Sequence, residues 1–82
     1  MVDGLDSVLQ VIATVKSGLA DQLTAASRIE DLRLDSLDEV EILMALEDAH
    51  DIEIDQAQVK SCATLGDLGR LVDVQKSRKA GA

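Results

Sequence analysis

A serine stands between two aspartates in the run Asp35-Ser36-Leu37-Asp38. A serine hydroxyl becomes a nucleophile when a histidine lies beside it. The only histidine of the chain, His50, falls about four turns further along the same predicted helix. The remaining roles for Ser36 are to cap that helix or to accept a covalent group from another enzyme, which needs only an exposed hydroxyl.

Two capping boxes compete at the start of this helix. Ser36 with Glu39 three residues later fits the pattern, and so does Asp35 with Asp38. On the pattern alone, a capping role for Ser36 is favoured. If Asp35 caps instead, Ser36 takes the first helical position with its hydroxyl outward. The backbone N–H groups there carry partial positive charge and tolerate a phosphate.

The helix predicted over Ser36–His50 has two apolar stripes, whereas a small domain needs only one for its core. With a rotation of about 100° per residue, the side expected to face the core carries Ile42, Leu46, Ala49 and His50, with Leu43 at its border. The opposite side mixes apolar and acidic residues: Leu37, Val40, Glu41, Met44, Glu47 and Asp48. A short chain has nothing left to bury this second set, so we expect a partner surface.

Composition narrows the kind of partner and the class of protein. The formal net charge is −8 and Phe, Tyr and Trp are absent, which argues against nucleic acid and against insertion into an anionic membrane. A basic protein surface is the expected partner. With one cysteine, no signal peptide and no long apolar run, we expect a cytoplasmic monomer. A water-excluding catalytic cleft is hard to build at this size, so we do not expect an enzyme.

Three further helices are predicted, over about 3–17, 56–61 and 65–74. Capping boxes mark the last two starts: Asp55 with Gln58, and Thr64 with Asp67. The expected fold is therefore all-α, a four-helix bundle of three longer helices and one short helix. We assign residues 1–75 to this domain and residues 76–82 to a basic, flexible tail.

The long connection between the first two helices, residues 18–35, lacks sustained periodicity. We expect a short helical turn near 21–26, and we expect at least two of Ile29, Leu32 and Leu34 to pin the connection onto the core.

Residues 51–55 alternate like a strand, but no second strand is available to pair with them. We therefore expect a loop with Ile52 or Ile54 turned inward. Its three acids also fit positions of a calcium loop, but Gln56 and Cys62 stand where that loop needs Gly and Glu, so no metal site is predicted.

Taken together, these stretches resemble the acyl carrier protein family over about residues 5–74. The matching segments are Asp31-Leu32, Asp35-Ser36-Leu37-Asp38, Val40 to Asp48, Asp51-Ile52-Glu53-Ile54 and Thr64-Leu65-Gly66-Asp67-Leu68. The resemblance implies a bundle of acyl carrier protein type. It also implies that a phosphopantetheinyl transferase, with Mg²⁺, moves 4′-phosphopantetheine from coenzyme A onto Ser36. The thiol of that arm would then carry an acyl or aminoacyl group as a thioester.

The resemblance also implies partners: a loading ligase and downstream transferases that present basic docking patches. Carried over by position, the partner-binding residues are Asp35, Leu37, Asp38, Val40, Glu41, Met44, Glu47 and Asp48.

Three positions depart from the pattern of fatty-acid carriers. Leu34 replaces the usual Gly, His50 the usual Phe, and Asp55 a frequent Pro. The carried group stays open among fatty acyl, polyketide and aminoacyl classes, and the departures favour a specialised carrier over the housekeeping fatty-acid one. A function from another class is an unmodified acidic helical adaptor, in which Ser36 is only a cap.

Overall fold

The computed structural model describes residues 4–19 and 21–81. It contains four α-helices: α1 (Gly4–Val15), α2 (Ser36–His50), α3 (Gln56–Lys60) and α4 (Leu65–Gly81). Two 3-10 turns, Ser17–Leu19 and Ile29–Leu32, lie between α1 and α2. No strand longer than a single bridge pair occurs in the described ranges. The prediction of an all-α, four-helix domain is confirmed.

One aliphatic core joins α1, α2 and α4. Its fully buried side chains are Val8, Ile12, Leu46, Leu65 and Val72. Two glycines allow α1 and α4 to pack closely: a Cβ placed on Gly69 would lie 2.8 Å from the Cα of Leu5, and Gly4 meets the backbone oxygen of Gly69 in the same way. These glycines therefore set the spacing of the helix pair against which α2 packs.

The connection between α1 and α2 is pinned to the core as expected. Ile29, Leu32 and Leu34 are all half-buried and pack against the core cluster. The backbone N–H of Ile29 also donates to the carbonyl of Ala63 at 3.0 Å. These contacts bring the chain back to the start of α2.

The helical turn expected near residues 21–26 does not form. The helical segments of this connection are instead the 3-10 turns on either side of it. The N–H of Thr24 donates to the hydroxyl oxygen of Ser27 at 2.9 Å, so a local side-chain acceptor replaces the backbone acceptor that a helix would supply.

The loop after α2 turns both of its isoleucines inward, since Ile52 and Ile54 are each 8% exposed. The N–H of Ile54 donates to the Glu47 carboxylate at 3.0 Å. The Asp55 and Gln58 capping box then starts α3 as predicted.

The last helix extends beyond its predicted end at Val74 and continues to Gly81. Residues 75–80 contain neither Gly nor Pro, and cationic side chains such as Lys76 and Arg78 suit the C-terminal end of a helix dipole. The segment expected to be a flexible tail is therefore helical through Gly81. The division of the chain into a carrier domain over 1–75 and a tail over 76–82 stays a prediction.

Candidate functional site

The start of α2 settles the competition between the two capping boxes. Asp35 is the N-cap, and its carboxylate accepts the N–H of Asp38 at 2.8 Å. The Asp38 carboxylate in turn accepts the N–H of Asp35 at 3.3 Å. The box formed by the two aspartates is thus the one that forms, and Ser36 is not the cap.

Ser36 is consequently the first residue of α2, and it is exposed. Its hydroxyl makes no hydrogen bond to any residue within the described ranges. An oxygen that is to carry a prosthetic arm must be accessible and must not be needed by the fold, and the Ser36 hydroxyl meets both conditions.

The charges around Ser36 hold the helix start but do not activate the serine. Lys16 at the end of α1 pairs with the Asp38 carboxylate at 3.0 Å. The hydrogen bond from Lys16 holds the pKa of Asp38 below its usual range, and the same bond raises the pKa of Lys16. His50 lies at the other end of α2, roughly 21 Å away for 14 residues of helix. The described residues therefore place no histidine beside Ser36.

A row of exposed apolar side chains follows Ser36 along α2. Leu37 is 66% exposed, Met44 57% and Val40 36%. We call these three residues the apolar ridge. Asp35, Glu41 and Asp48 are exposed on the same helix or at its start. The structure therefore places an apolar strip with acidic neighbours beside the candidate attachment serine.

Three of the acids predicted to contact partners are already engaged within the domain, and the first is Asp35, the N-cap of α2. Asp38 completes the cap and pairs with Lys16. Glu47 is half-buried and accepts the N–H of Ile54. The sequence indicated the bond between Asp35 and Asp38 through their capping box, but it could not reveal the bond of Glu47, because its partner Ile54 lies on the loop after α2.

The core-facing side of α2 differs from its prediction at two residues. Ile42 and Leu46 are buried as expected, at 3% and 0% exposure. Leu43, placed at the border, is also buried, whereas Ala49 is exposed, so its assignment to the core was wrong. These two residues lie about 60° on either side of Leu46. Burying the larger leucine stabilises the fold more than burying an alanine. The rotation of α2 about its axis therefore buries Leu43 and leaves Ala49 exposed.

His50 packs its ring at the end of α2 and remains half-buried. Its Nε2 atom is buried without a hydrogen-bond partner among the described residues. Burial lowers the pKa of His50, nearby Lys76 lowers it further, and Asp73 opposes the shift. His50 is therefore partly exposed, while its Nε2 atom has no hydrogen-bond partner among the described residues.

An apolar cavity that the sequence did not reveal lies between core side chains such as Leu43 and Leu65 and Val59 of α3. Its volume is about 20 Å³. A larger groove of about 380 Å³ adjoins it on the α3 side. The residues that line both spaces are Ile29, Glu39, Leu43 and Val59. Leu34, one of the departures from fatty-acid carriers, lines the inner cavity.

Other side chains with reactive groups do not form a second centre in the described part of the chain. Cys62 is half-buried, its thiol lies 3.4 Å from the Gln58 carbonyl, and burial raises its pKa. Its thiol is thus held in the less reactive, protonated form. No group of three or more potential metal ligands occurs among the residues described. None of the described helices combines the length and apolarity that crossing a membrane requires.

Comparison with known proteins agrees with this geometry. A family model described as "Phosphopantetheine attachment site" matches residues 6–72. The acyl carrier protein of Sulfurovum sp. (strain NBC37-1) is 39% identical over 69 residues, covering 83% of this chain and 92% of that protein. The acyl carrier protein of Wolinella succinogenes is 35% identical over 72 residues, covering 87% of this chain and 95% of that protein. A barley (Hordeum vulgare) protein described as "Acyl carrier protein 2, chloroplastic" is 38% identical over 72 residues, covering 83% of this chain and 56% of that protein. The chain therefore belongs to the acyl carrier protein family, a family of carriers with covalently attached 4′-phosphopantetheine.

Proposed function

We propose that Ser36 is the residue that receives the 4′-phosphopantetheine arm and that the chain carries acyl or aminoacyl groups on it. The observation that carries this proposal is the exposed hydroxyl at the first position of α2, which Asp35 frees by capping the helix in its place. A hydroxyl tied into the cap would have to break that bond before it could react.

The attachment step needs little from the chain itself. The Ser36 oxygen forms a bond to the phosphorus that bears the pantetheine arm, the bond from that phosphorus to adenosine 3′,5′-bisphosphate breaks, and the hydroxyl proton passes to the transferase. The bound arm supplies a thiol for thioester formation. The contribution of this chain is position: the rigid start of α2, fixed by Asp35, Asp38 and Lys16, presents the oxygen beside the apolar ridge.

We propose that the apolar ridge and the free acids Glu41 and Asp48 bind the transferase, the loading ligase and the downstream transferases. The net charge of −8 favours partners with basic patches, and attraction between opposite charges accelerates encounter and weakens as salt rises. We expect the chain to act as a monomer and to catalyse no step itself. A cytoplasmic location stays a prediction.

The carried group is proposed only as a class. The inner cavity is lined by aliphatic side chains and by Glu39, and the aliphatic part suits an aliphatic segment of the cargo. The departure at Leu34 changes the lining of that space. Together with the departure at His50, it favours a specialised acyl, polyketide or aminoacyl cargo over the housekeeping fatty-acid one.

The test is the intact mass of the protein after incubation with coenzyme A, Mg²⁺ and a broad-specificity transferase. We expect the mass to rise by one phosphopantetheine. Ser36→Ala should abolish the gain, while the control Ser17→Ala, which removes another exposed serine hydroxyl, should preserve it. No gain in the wild type, or a gain that survives Ser36→Ala, would refute the assignment.

A further inference from the structure

The wall formed by α3 is the least anchored part of the cargo space. This helix has five residues, and so short a helix has no stability of its own in water. Its apolar contribution is Val59, which is only half-buried and lines both the cavity and the groove. The walls formed by α2 and α4, by contrast, include side chains such as Ile42 and Leu65 that are 3% and 0% exposed.

A side chain from α4 ties this wall down. The Nε2 group of Gln75 donates to the Glu53 carbonyl at 3.1 Å and approaches the Gln58 side-chain oxygen at 3.4 Å. The same Gln58 oxygen accepts the N–H of Asp55 at 3.1 Å and so completes the cap of α3. One glutamine therefore joins α4 to the loop before α3 and to the cap of α3.

Gln75 lies in a part of the chain that the family model does not reach. The match ends at residue 72, whereas α4 continues to Gly81. These last turns of α4 bring Gln75 beside the loop before α3.

The volume of the inner cavity decides whether the hydrogen bonds made by Gln75 affect cargo entry. A volume of about 20 Å³ holds roughly one water molecule, whereas an apolar cavity that takes up benzene measures about 150 Å³. A cargo chain of several carbons can enter only if a wall moves. The wall least anchored by buried side chains is α3. Because movement of α3 would break the hydrogen bonds made by Gln75, these bonds oppose opening of the cavity.

We propose that Gln75 is a positioning residue that latches α3 over the cargo cavity and so sets how readily an attached chain can enter. This inference rests on the proposed carrier function and goes beyond it to the control of cargo access. The latch favours the closed position of α3. By linkage, weakening the latch raises the equilibrium constant for opening and the equilibrium constant for cargo entry by the same factor.

The first experiment uses the unmodified protein, so it does not depend on the arm. Gln75→Met keeps the length and helix propensity of the side chain but removes both hydrogen bonds, and Ser77→Ala changes an exposed neighbour on α4 as the control. Amide hydrogen exchange at Val59 and Cys62 should accelerate by about 2- to 10-fold in Gln75→Met, the range expected for one or two exposed hydrogen bonds. Exchange in α1 and in the control should not change. Unchanged α3 rates, or equal acceleration in α1, would overturn the latch.

The second experiment measures cargo access in the phosphopantetheinylated protein. Octanoyl and acetyl thioesters are cleaved with hydroxylamine, and Gln75→Met should slow cleavage of the octanoyl form by a factor no larger than the one found in the exchange experiment. The acetyl form is too short to use the cavity, so its rate should match that of the wild type. A role confined to stability would accelerate cleavage of the octanoyl form or leave both rates unchanged, and either result overturns the proposal. If Ser36 accepts no arm, the carrier function fails while the exchange experiment still tests the latch.

Discussion

The two faces of α2 predict opposite outcomes for substitutions two residues apart. Leu46 is fully buried, so Leu46→Ala removes buried methyl groups and leaves a cavity among side chains such as Ile12 and Leu65. Such changes cost about 2–5 kcal/mol, with the upper half of the range for sites that cannot collapse. A domain of this size has a total free energy of unfolding of about 4–12 kcal/mol. The melting temperature should therefore fall by roughly 10–30 °C.

Met44 lies on the apolar ridge and is 57% exposed. Met44→Glu should change the free energy of unfolding by no more than about 0.5 kcal/mol, because the new carboxylate stays in water. It should nevertheless slow phosphopantetheinyl transfer, because a charge replaces an apolar contact at the proposed partner surface. Ala49→Glu adds the same charge at an exposed site away from the ridge and is the matched control.

The assay combines thermal and urea unfolding with the initial rate of transfer to Ser36 at subsaturating carrier. We expect Leu46→Ala to lose stability, Met44→Glu to lose rate but not stability, and Ala49→Glu to lose neither. A loss of several kcal/mol in Met44→Glu would show that the faces are assigned wrongly. Equal rates for Met44→Glu and Ala49→Glu would remove the ridge from the proposed interface.

Two further predictions concern packing and pH. Gly69→Ala should cost about 1–3 kcal/mol by urea unfolding, because its Cβ would lie 2.8 Å from backbone atoms of α1; Gly18→Ala, with open space around it, should cost nothing, and equal effects would refute the close-packing argument. His50→Phe should stabilise the fold by about 1 kcal/mol at pH 7, because it removes an unsatisfied buried nitrogen. Because the folded pKa of His50 is lowered, the wild type binds fewer protons when folded and should lose stability as pH falls below about 6.5. His50→Phe should lose less stability over that range, and an unchanged pH profile would contradict this assignment.

The parts of the fold that the sequence predicts well are those that depend on neighbours three or four residues away. The Asp35 and Asp38 box, the Asp55 and Gln58 box and the bounds of α2 all follow from short spacing rules, and the structure has each of them. The exposure of Ser36 follows from the first box, because a second N-cap side chain is not needed. The geometry at the start of α2, including the exposure of Ser36, can therefore be predicted from residues that are close together in the sequence.

The features that the sequence misses depend on contacts between distant segments. Whether Leu43 or Ala49 enters the core is decided by how α2 rolls against α1 and α4, which a helical wheel does not contain. The extension of α4 is fixed in part by Gln75, whose acceptors lie 22 and 17 residues earlier in the chain. The cavity likewise exists only where side chains of several elements fail to meet, so no spacing within one element could predict it.

The acids of α2 divide by what they bind, and this division bears on how the carrier meets its partners. Asp38 and Glu47 hold the cap and the following loop, so a partner that competed for their carboxylates would loosen the domain. Glu41 and Asp48 are exposed and can meet a basic patch without such a cost. Ser36 and the apolar ridge lie on the same helix. Asp38 holds the start of this helix, and Glu47, near its end, binds the loop that follows. The proposed binding of partners through Glu41 and Asp48 would therefore leave Ser36 in place.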